Sequence, residues 1–181
     1  MLNVRELKKE DKERIKYIVV KTASNDYKDK PEATKLLFCD YYVDYGNGYV
    51  LEDDGLVVGY ILCSEDYKEY VKTFRDVYMP KLKEVDKAEY RKKKLEMLMD
   101  KLMGKKYPAH LHIDILEEYC EKGYGKVLMQ NLLDKLKVDN VKGIWLGVDT
   151  KNSRAIHFYS KFGFKTNLLL KQFGIYKKVI D

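Results

Sequence analysis

The sequence predicts a mixed α/β (α+β) fold of packed layers. Three observations carry this. Segments of β-prone and helix-periodic character alternate along the chain. Two β-prone runs flank Asp53-Asp54-Gly55, the pattern of a hairpin. Gly143 to Val148 is apolar enough for a buried central strand. At 181 residues the chain has the size of one ordinary domain, and 1–181 is read as a single unit. Hydrophobic residues at 45% beside 35% charged exclude a disordered acidic or basic tail as the main content.

In chain order, Leu2 to Leu7 reads as a first strand. Asp11 is placed to cap a helix that carries Ile15, Ile18 and Val19 inward. Pro31 suits the first turn of a second helix, with Leu36, Leu37 and Tyr41 facing the core and Gly46-Asn47-Gly48 ending it. The hairpin follows, with strands around Tyr49–Glu52 and Leu56–Ser64. The segment 65–107 is a helical insert rich in Lys, Glu, Tyr and Met. It reads as two helices split near Pro80 and ended by Gly104, with Leu95, Leu98, Met99 and Leu102 on a packed face. His110 to Leu116 is a strand. A glycine-containing loop leads into a helix from Gly123 to Lys137 with Leu128, Leu132 and Leu136 on one stripe. After the strand Gly143–Val148, a helix runs from Asn152 to Phe162 and stops at Gly163. Phe164–Leu170 and Phe173–Ile180 read as two closing strands.

The net charge of +6 is spread over interleaved Lys, Glu and Asp, so charge alone does not predict a nucleic-acid partner. Cys39, Cys63 and Cys120 form neither a disulfide framework nor a CxxC metal or redox motif. No apolar run approaches the roughly 20 residues of a membrane span. The first residues lack the basic-then-apolar profile of a signal peptide, so the expected location is the cytoplasm.

Chemistry concentrates in two stretches. Ile115 to Leu128 reads as strand, tight glycine turn and helix around Gly123-Tyr124-Gly125. A helix start carries unpaired N–H groups and partial positive charge, which suits a phosphate or pyrophosphate, and Lys122 and Lys126 add cations. A purely structural turn is the alternative; no Walker lysine follows, and the third glycine of a dinucleotide fingerprint is missing. In the second stretch Asn152 is a natural N-cap, Ala155, Phe158 and Phe162 share a packing face, and Tyr159 lies two turns beyond the cap. His110, His112 and Asp114 alternate along one strand and so share a sheet face.

Taken in order, these motifs resemble the GNAT superfamily of acetyl-CoA-dependent N-acetyltransferases over about residues 109–165. His110-Leu111-His112-Ile113-Asp114-Ile115-Leu116 looks, more narrowly, like a bacterial branch related to the acetyltransferase-like domain of some O-GlcNAc hydrolases. The resemblance implies a mostly antiparallel sheet with helices on both faces and a splay after the fourth strand. It implies that Cys120, Glu121, Lys122, Gly123, Tyr124, Gly125 and Lys126 hold the coenzyme pyrophosphate. The Ile115 amide would then meet the acetyl carbonyl, Leu116 the pantetheine arm, and Asn152 the coenzyme. Tyr159 would contact the coenzyme and be the acid that protonates the departing thiolate, with packing against the coenzyme alone as the alternative. Cys120 stands where the family usually has Arg or Gln, which removes one side-chain contact.

An alkylamine near pKa 10.4 needs a base at neutral pH. Asp114 is placed nearest the thioester end, with His112 as shuttle, directly or through water; a satisfied polar pair is the structural alternative. Glu117 and Glu118 are backup bases or solvated side chains. Tyr67, Tyr70, Tyr78 and Tyr90 of the insert are candidates to line an acceptor cleft, or else packing residues. The expected partners are acetyl-CoA and an amine acceptor, with no metal and no membrane, and a homodimer left open. The competing classes are a non-catalytic acyl-CoA sensor and an interaction domain using the basic insert.

Overall fold

Six strands form one sheet in the sequential order β1 (Leu2–Glu6), β2 (Asn47–Asp53), β3 (Leu56–Ser64), β4 (Ala109–Ile115), β5 (Gly143–Gly147) and β6 (Ile175–Val179). The computed structural model describes residues 2–99 and 101–180, leaving out the side chains of Met99, Lys101 and Leu102. Every neighbouring pair is antiparallel except β4 and β5. The β2–β3 turn places Asp54 and Gly55 at φ of 46° and 83°, the left-handed pair that matches strand twist. Beyond the exposed Leu56, β3 is buried throughout, as the middle of a sheet covered on both faces should be.

Parallel pairing of β4 with β5 covers only Ala109↔Ile144 and His110↔Trp145 among the described residues. Beyond His110 the two strands part, while β4 stays paired to β3 as far as Ile115. The sheet is thus splayed after its fourth strand.

One face is covered by α1 (Lys12–Lys21), α2 (31–45) and the helical insert. The other carries α6 (Tyr124–Val138), whose Leu128, Leu132 and Leu136 are all fully buried. Ile15, Ile18, Val19, Leu36, Leu37 and Tyr41 face the core as their spacing requires. Leu36–Asp40 within α2 is a π-helical turn, which rotates Phe38 relative to a regular helix.

Several expectations need correction. Asp11 does not cap α1 with its side chain. Its buried carboxylate instead accepts the Lys8 N–H and both outer nitrogens of Arg5 at 2.8 Å, closing a short turn before the helix. Pro80 does not split the insert. α3 runs over 67–85 because a π turn at Phe74–Tyr78 makes room for the proline ring and its missing donor. The break falls at Asp86, whose Oδ1 accepts the Ala88 and Glu89 N–H groups and starts α4 (Lys87–Met99). Gly104 does not end a helix either, since α5 runs over Lys101–Lys106. Its role is close packing, for a Cβ there would lie 2.3 Å from the Tyr67 ring.

The expected apolar face of α4 is on the wrong side. Leu95 and Leu98 are exposed, and Met99 and Leu102 lie outside the described side chains. The buried stripe carries Glu89, Lys93 and Met97. Polar residues enter it because each is compensated: Glu89 pairs with Lys30 at 2.7 Å, and the Lys93 ammonium lies 5.6 Å from the Tyr70 and Phe74 rings. At the C-terminal end only β6 forms of the two expected strands. Lys165 makes a single bridge to Lys177, and Asn167 then caps a short helix, α8 (Leu168–Gln172).

Candidate active site

The first half of the site is main chain. The Leu116 N–H is donated inward to Val58 O at 3.0 Å. Strand alternation therefore turns the Ile115 N–H the other way, toward the gap that β5 leaves. The Leu116 carbonyl accepts the Tyr119 N–H. Next comes a short turn at Glu117–Tyr119, then the loop into α6. Glu121 has φ 63° and Gly123, at the helix N-cap, φ 86°. Nothing lies within 4 Å of where a Gly123 Cβ would stand, so the backbone faces open space and glycine is needed for its dihedral. Among the described residues no N–H from Glu121 to Gly125 is donated to a backbone carbonyl. Five consecutive donors without a backbone acceptor thus lead into and open a 15-residue helix, whose N-terminus carries partial positive charge. This arrangement fits a diphosphate, with the exposed Lys122 and Lys126 beside it. The Cys120 thiol lies 3.5 Å from the Ile115 carbonyl, which ties the loop to the strand end.

α7 (Ser153–Lys161) closes on the same spot. Asn152 caps it, its Oδ1 accepting the Ala155 N–H at 2.9 Å. Phe158 packs close to Gly125, as does the Ile115 side chain. Next to Phe158 in the chain, Tyr159 is buried between Phe158 and Phe164. Burial pushes its phenol well above the ordinary range, helped by the Asp114 charge, so it stays protonated at any working pH.

The second half is side chains on the opposite face of β4. Asp114 Oδ2 accepts from Tyr60 OH at 2.8 Å, and the same hydroxyl lies 3.1 Å from His112 Nδ1. Asp114 and His112 are 3.6 Å apart, and their side chains keep 27% and 26% exposure, so both are reachable from solvent. Burial raises the Asp114 pKa against the opposing pull of His112, Tyr60 and Thr22. Burial lowers that of His112, against the pull of Asp114, so the imidazole is neutral near pH 7. Phe38, presented by the π turn, stacks on the His112 ring at 5.0 Å, and Tyr27 meets Phe38 edge-on.

The expected residues therefore separate into three groups. Cys120 ties the loop 120–126 to Ile115, Asn152 caps the helix that carries Tyr159, and Asp114, beside His112, lies near enough for its charge to act on Tyr159. His110 does not join them. It is buried among Tyr42, Tyr67, Tyr70 and Trp145, and burial lowers its pKa to about 3. Glu117 and Glu118 are exposed. Tyr67, Tyr70 and Tyr78 are core residues rather than cleft linings, with Tyr78 donating to Asp44 at 2.7 Å. Sequence reasoning missed Tyr60, Phe38 and Thr22; each lies more than 50 residues from Asp114, and only strand register brings Tyr60 opposite it.

A model of the Acetyltransferase (GNAT) family matches residues 12–164. Protein O-GlcNAcase of Rattus norvegicus is 26% identical over 129 residues, covering 64% of this chain but only 14% of that protein. The crystal structure of SsHAT gives a TM-score of 0.84 at 25% identity, over 99% of this chain and 98% of that one. PaiA N-acetyltransferase from Thermoplasma acidophilum, crystallised with coenzyme A, gives 0.58 at 18% identity over 99% of each chain.

Proposed function

The chain belongs to the acetyltransferase (GNAT) family, and from that premise we propose that it transfers an acetyl group from acetyl-CoA to a primary amine of a small molecule or protein by direct attack. The single observation that carries the proposal is the run of main-chain donors Glu121–Gly125, without backbone acceptors, that follows a strand parting from β5 and bearing His112 and Asp114. Coenzyme A supplies an acetyl thioester when bound. Glu121 to Gly125 hold its pyrophosphate through N–H groups, with Lys122 and Lys126 adding charge and Cys120 leaving the side-chain contact of an Arg or Gln unfilled. The Leu116 carbonyl keeps a lone pair for the pantetheine arm, and Asn152 borders the coenzyme. The Ile115 N–H offers a hydrogen bond to the acetyl oxygen as charge develops there.

Asp114 and His112 accept the proton of the attacking amine, and their partial exposure gives that amine access. Tyr159 is kept neutral by burial and protonates the sulfur as it leaves. The three free cysteines accord with a reducing compartment, and the proposed location is the cytoplasm. Among the described residues, no helix is long and apolar enough to cross a membrane.

The test is thiol release from acetyl-CoA across a panel of primary amines. Turnover is expected with at least one amine class, and Tyr159→Phe should lower kcat by about 10- to 100-fold with acetyl-CoA affinity unchanged. Coenzyme binding without turnover across the panel would instead establish a sensor.

A further inference from the structure

We propose that Tyr60 is a positioning residue whose hydroxyl links His112 to Asp114, so that the two act as one proton acceptor. The inference rests on the acetyl-transfer reading above. His112 and Asp114 stand 3.6 Å apart, beyond a hydrogen bond, and the Tyr60 oxygen bridges them at 3.1 and 2.8 Å. Register explains the placement: Tyr60 is the cross-strand partner of Asp114, and Leu62 that of His112, so the phenol reaches diagonally along one sheet face. The Tyr60 ring is fully buried and stacks with the imidazole at 5.9 Å, while Phe38 stacks on the imidazole at 5.0 Å. The ring is therefore held in the plane that aims Nδ1 at the phenol.

Donor order follows from the acceptors. An ionised Asp114 accepts only, so Tyr60 donates to it. The Tyr60 oxygen then accepts from His112, which must carry its proton on Nδ1. That leaves the Nε2 lone pair for the substrate. In the step, the N–H bond of the amine breaks toward nitrogen, which uses the electron pair to bond the acetyl carbon, while the thioester C–S bond breaks toward sulfur and the departing thiolate takes its proton from Tyr159. The proton goes to His112 Nε2, the Nδ1 proton passes to the Tyr60 oxygen, and the Tyr60 proton passes to Asp114. The step ends with a neutral imidazole of the other tautomer, a neutral phenol and a protonated Asp114, which returns its proton to solvent by the reverse path. The other groups facing this chain are the Thr22 hydroxyl from α1, Tyr159 from α7, and Cys39 and Tyr42 from α2. Burial keeps Tyr159, Cys39 and Tyr42 protonated, which leaves Asp114 and His112 as the proton-exchanging pair of this cluster.

Two measurements on the whole chain decide the matter. Nitrogen-15 spectra of the histidines should show His112 as the Nδ1–H tautomer, and Tyr60→Phe, which keeps the ring, should abolish that preference. This readout needs no turnover, and an Nε2–H tautomer in the unmodified protein overturns the link. In the amine assay, Tyr60→Phe should lower kcat about 10- to 100-fold at constant acetyl-CoA KM, and combining it with Asp114→Asn should cost no more than the worse single change. A Tyr60→Phe enzyme within twofold of the parent, or multiplicative losses in the double variant, reduces Tyr60 to a core residue. Absence of turnover in the unmodified protein counts against the acetyl-transfer reading, not against the bridge.

Discussion

The proposed coenzyme side and the proposed acceptor side of this molecule are built from different material. The coenzyme side is local and mostly main chain: Ile115, the turn at Gly123 and the start of α6 lie within one short stretch of sequence. The acceptor side is assembled from side chains of remote segments, with Thr22, Phe38, Tyr60, His112 and Asp114 converging from four segments of the chain. The insert adds a further layer by clamping the 22–30 loop through Lys30–Glu89 and Lys92–Tyr27 contacts at 2.7 and 2.9 Å. A backbone site depends on dihedral angles and tolerates side-chain exchange. A side-chain site fails when one atom is removed.

That contrast breaks most sharply at Asp114. Replacing it with Asn should lower kcat by about 100- to 1000-fold while calorimetry finds acetyl-CoA bound as tightly as before. Loss of coenzyme binding in this variant would mean that the two sides are not separable. Within the insert, Met97→Ala should cost about 2–3 kcal/mol in denaturant unfolding, whereas Leu98→Ala should stay within about 0.5 kcal/mol. Equal effects would place the packed stripe of α4 elsewhere. On the coenzyme side, Gly123→Val forces a β-branched residue into a left-handed dihedral at a cost of about 1–2 kcal/mol. The expected reading is an acetyl-CoA Kd weakened roughly tenfold with kcat at saturation preserved.

The smallest effect is one of pH. His110 has a folded pKa far below its unfolded value, because burial disfavours the imidazolium. Its stabilising contribution is complete above the unfolded value near 6.5 and declines as pH falls below it, toward the folded value of about 3. Between pH 6.5 and 5.5 the loss is about 1 kcal/mol. His110→Phe should remove that part of the slope; an unchanged pH dependence would show the imidazole to be hydrated in solution.

Legibility differed in the same way. The hairpin, the α6 stripe and the Asn152 cap were readable because each is set by residues a few positions apart. The glycine turn into α6 and the capped helix that carries Tyr159 were readable for the same reason. The α4 face was misread because its buried stripe is polar, and Glu89 and Lys93 gain partners in distant segments as well as on their own helix. The C-terminal segment was misread because β-prone residues after Phe164 are overridden by the Asn167 cap. Asp86, not Pro80, divides the insert because a side-chain cap competes locally while a π turn absorbs the proline.

By itself the sequence determined the alternation of elements, the glycine turn and the alternation that puts His112 and Asp114 on one face, since these are local dihedral and periodicity effects. Only the tertiary structure decided that β4 parts from β5 beyond His110, that His110 is sealed among aromatic rings, and that Tyr60 stands between His112 and Asp114. The reason is that strand register and helix packing are settled by the burial of the whole core, and no window of neighbouring residues contains that sum.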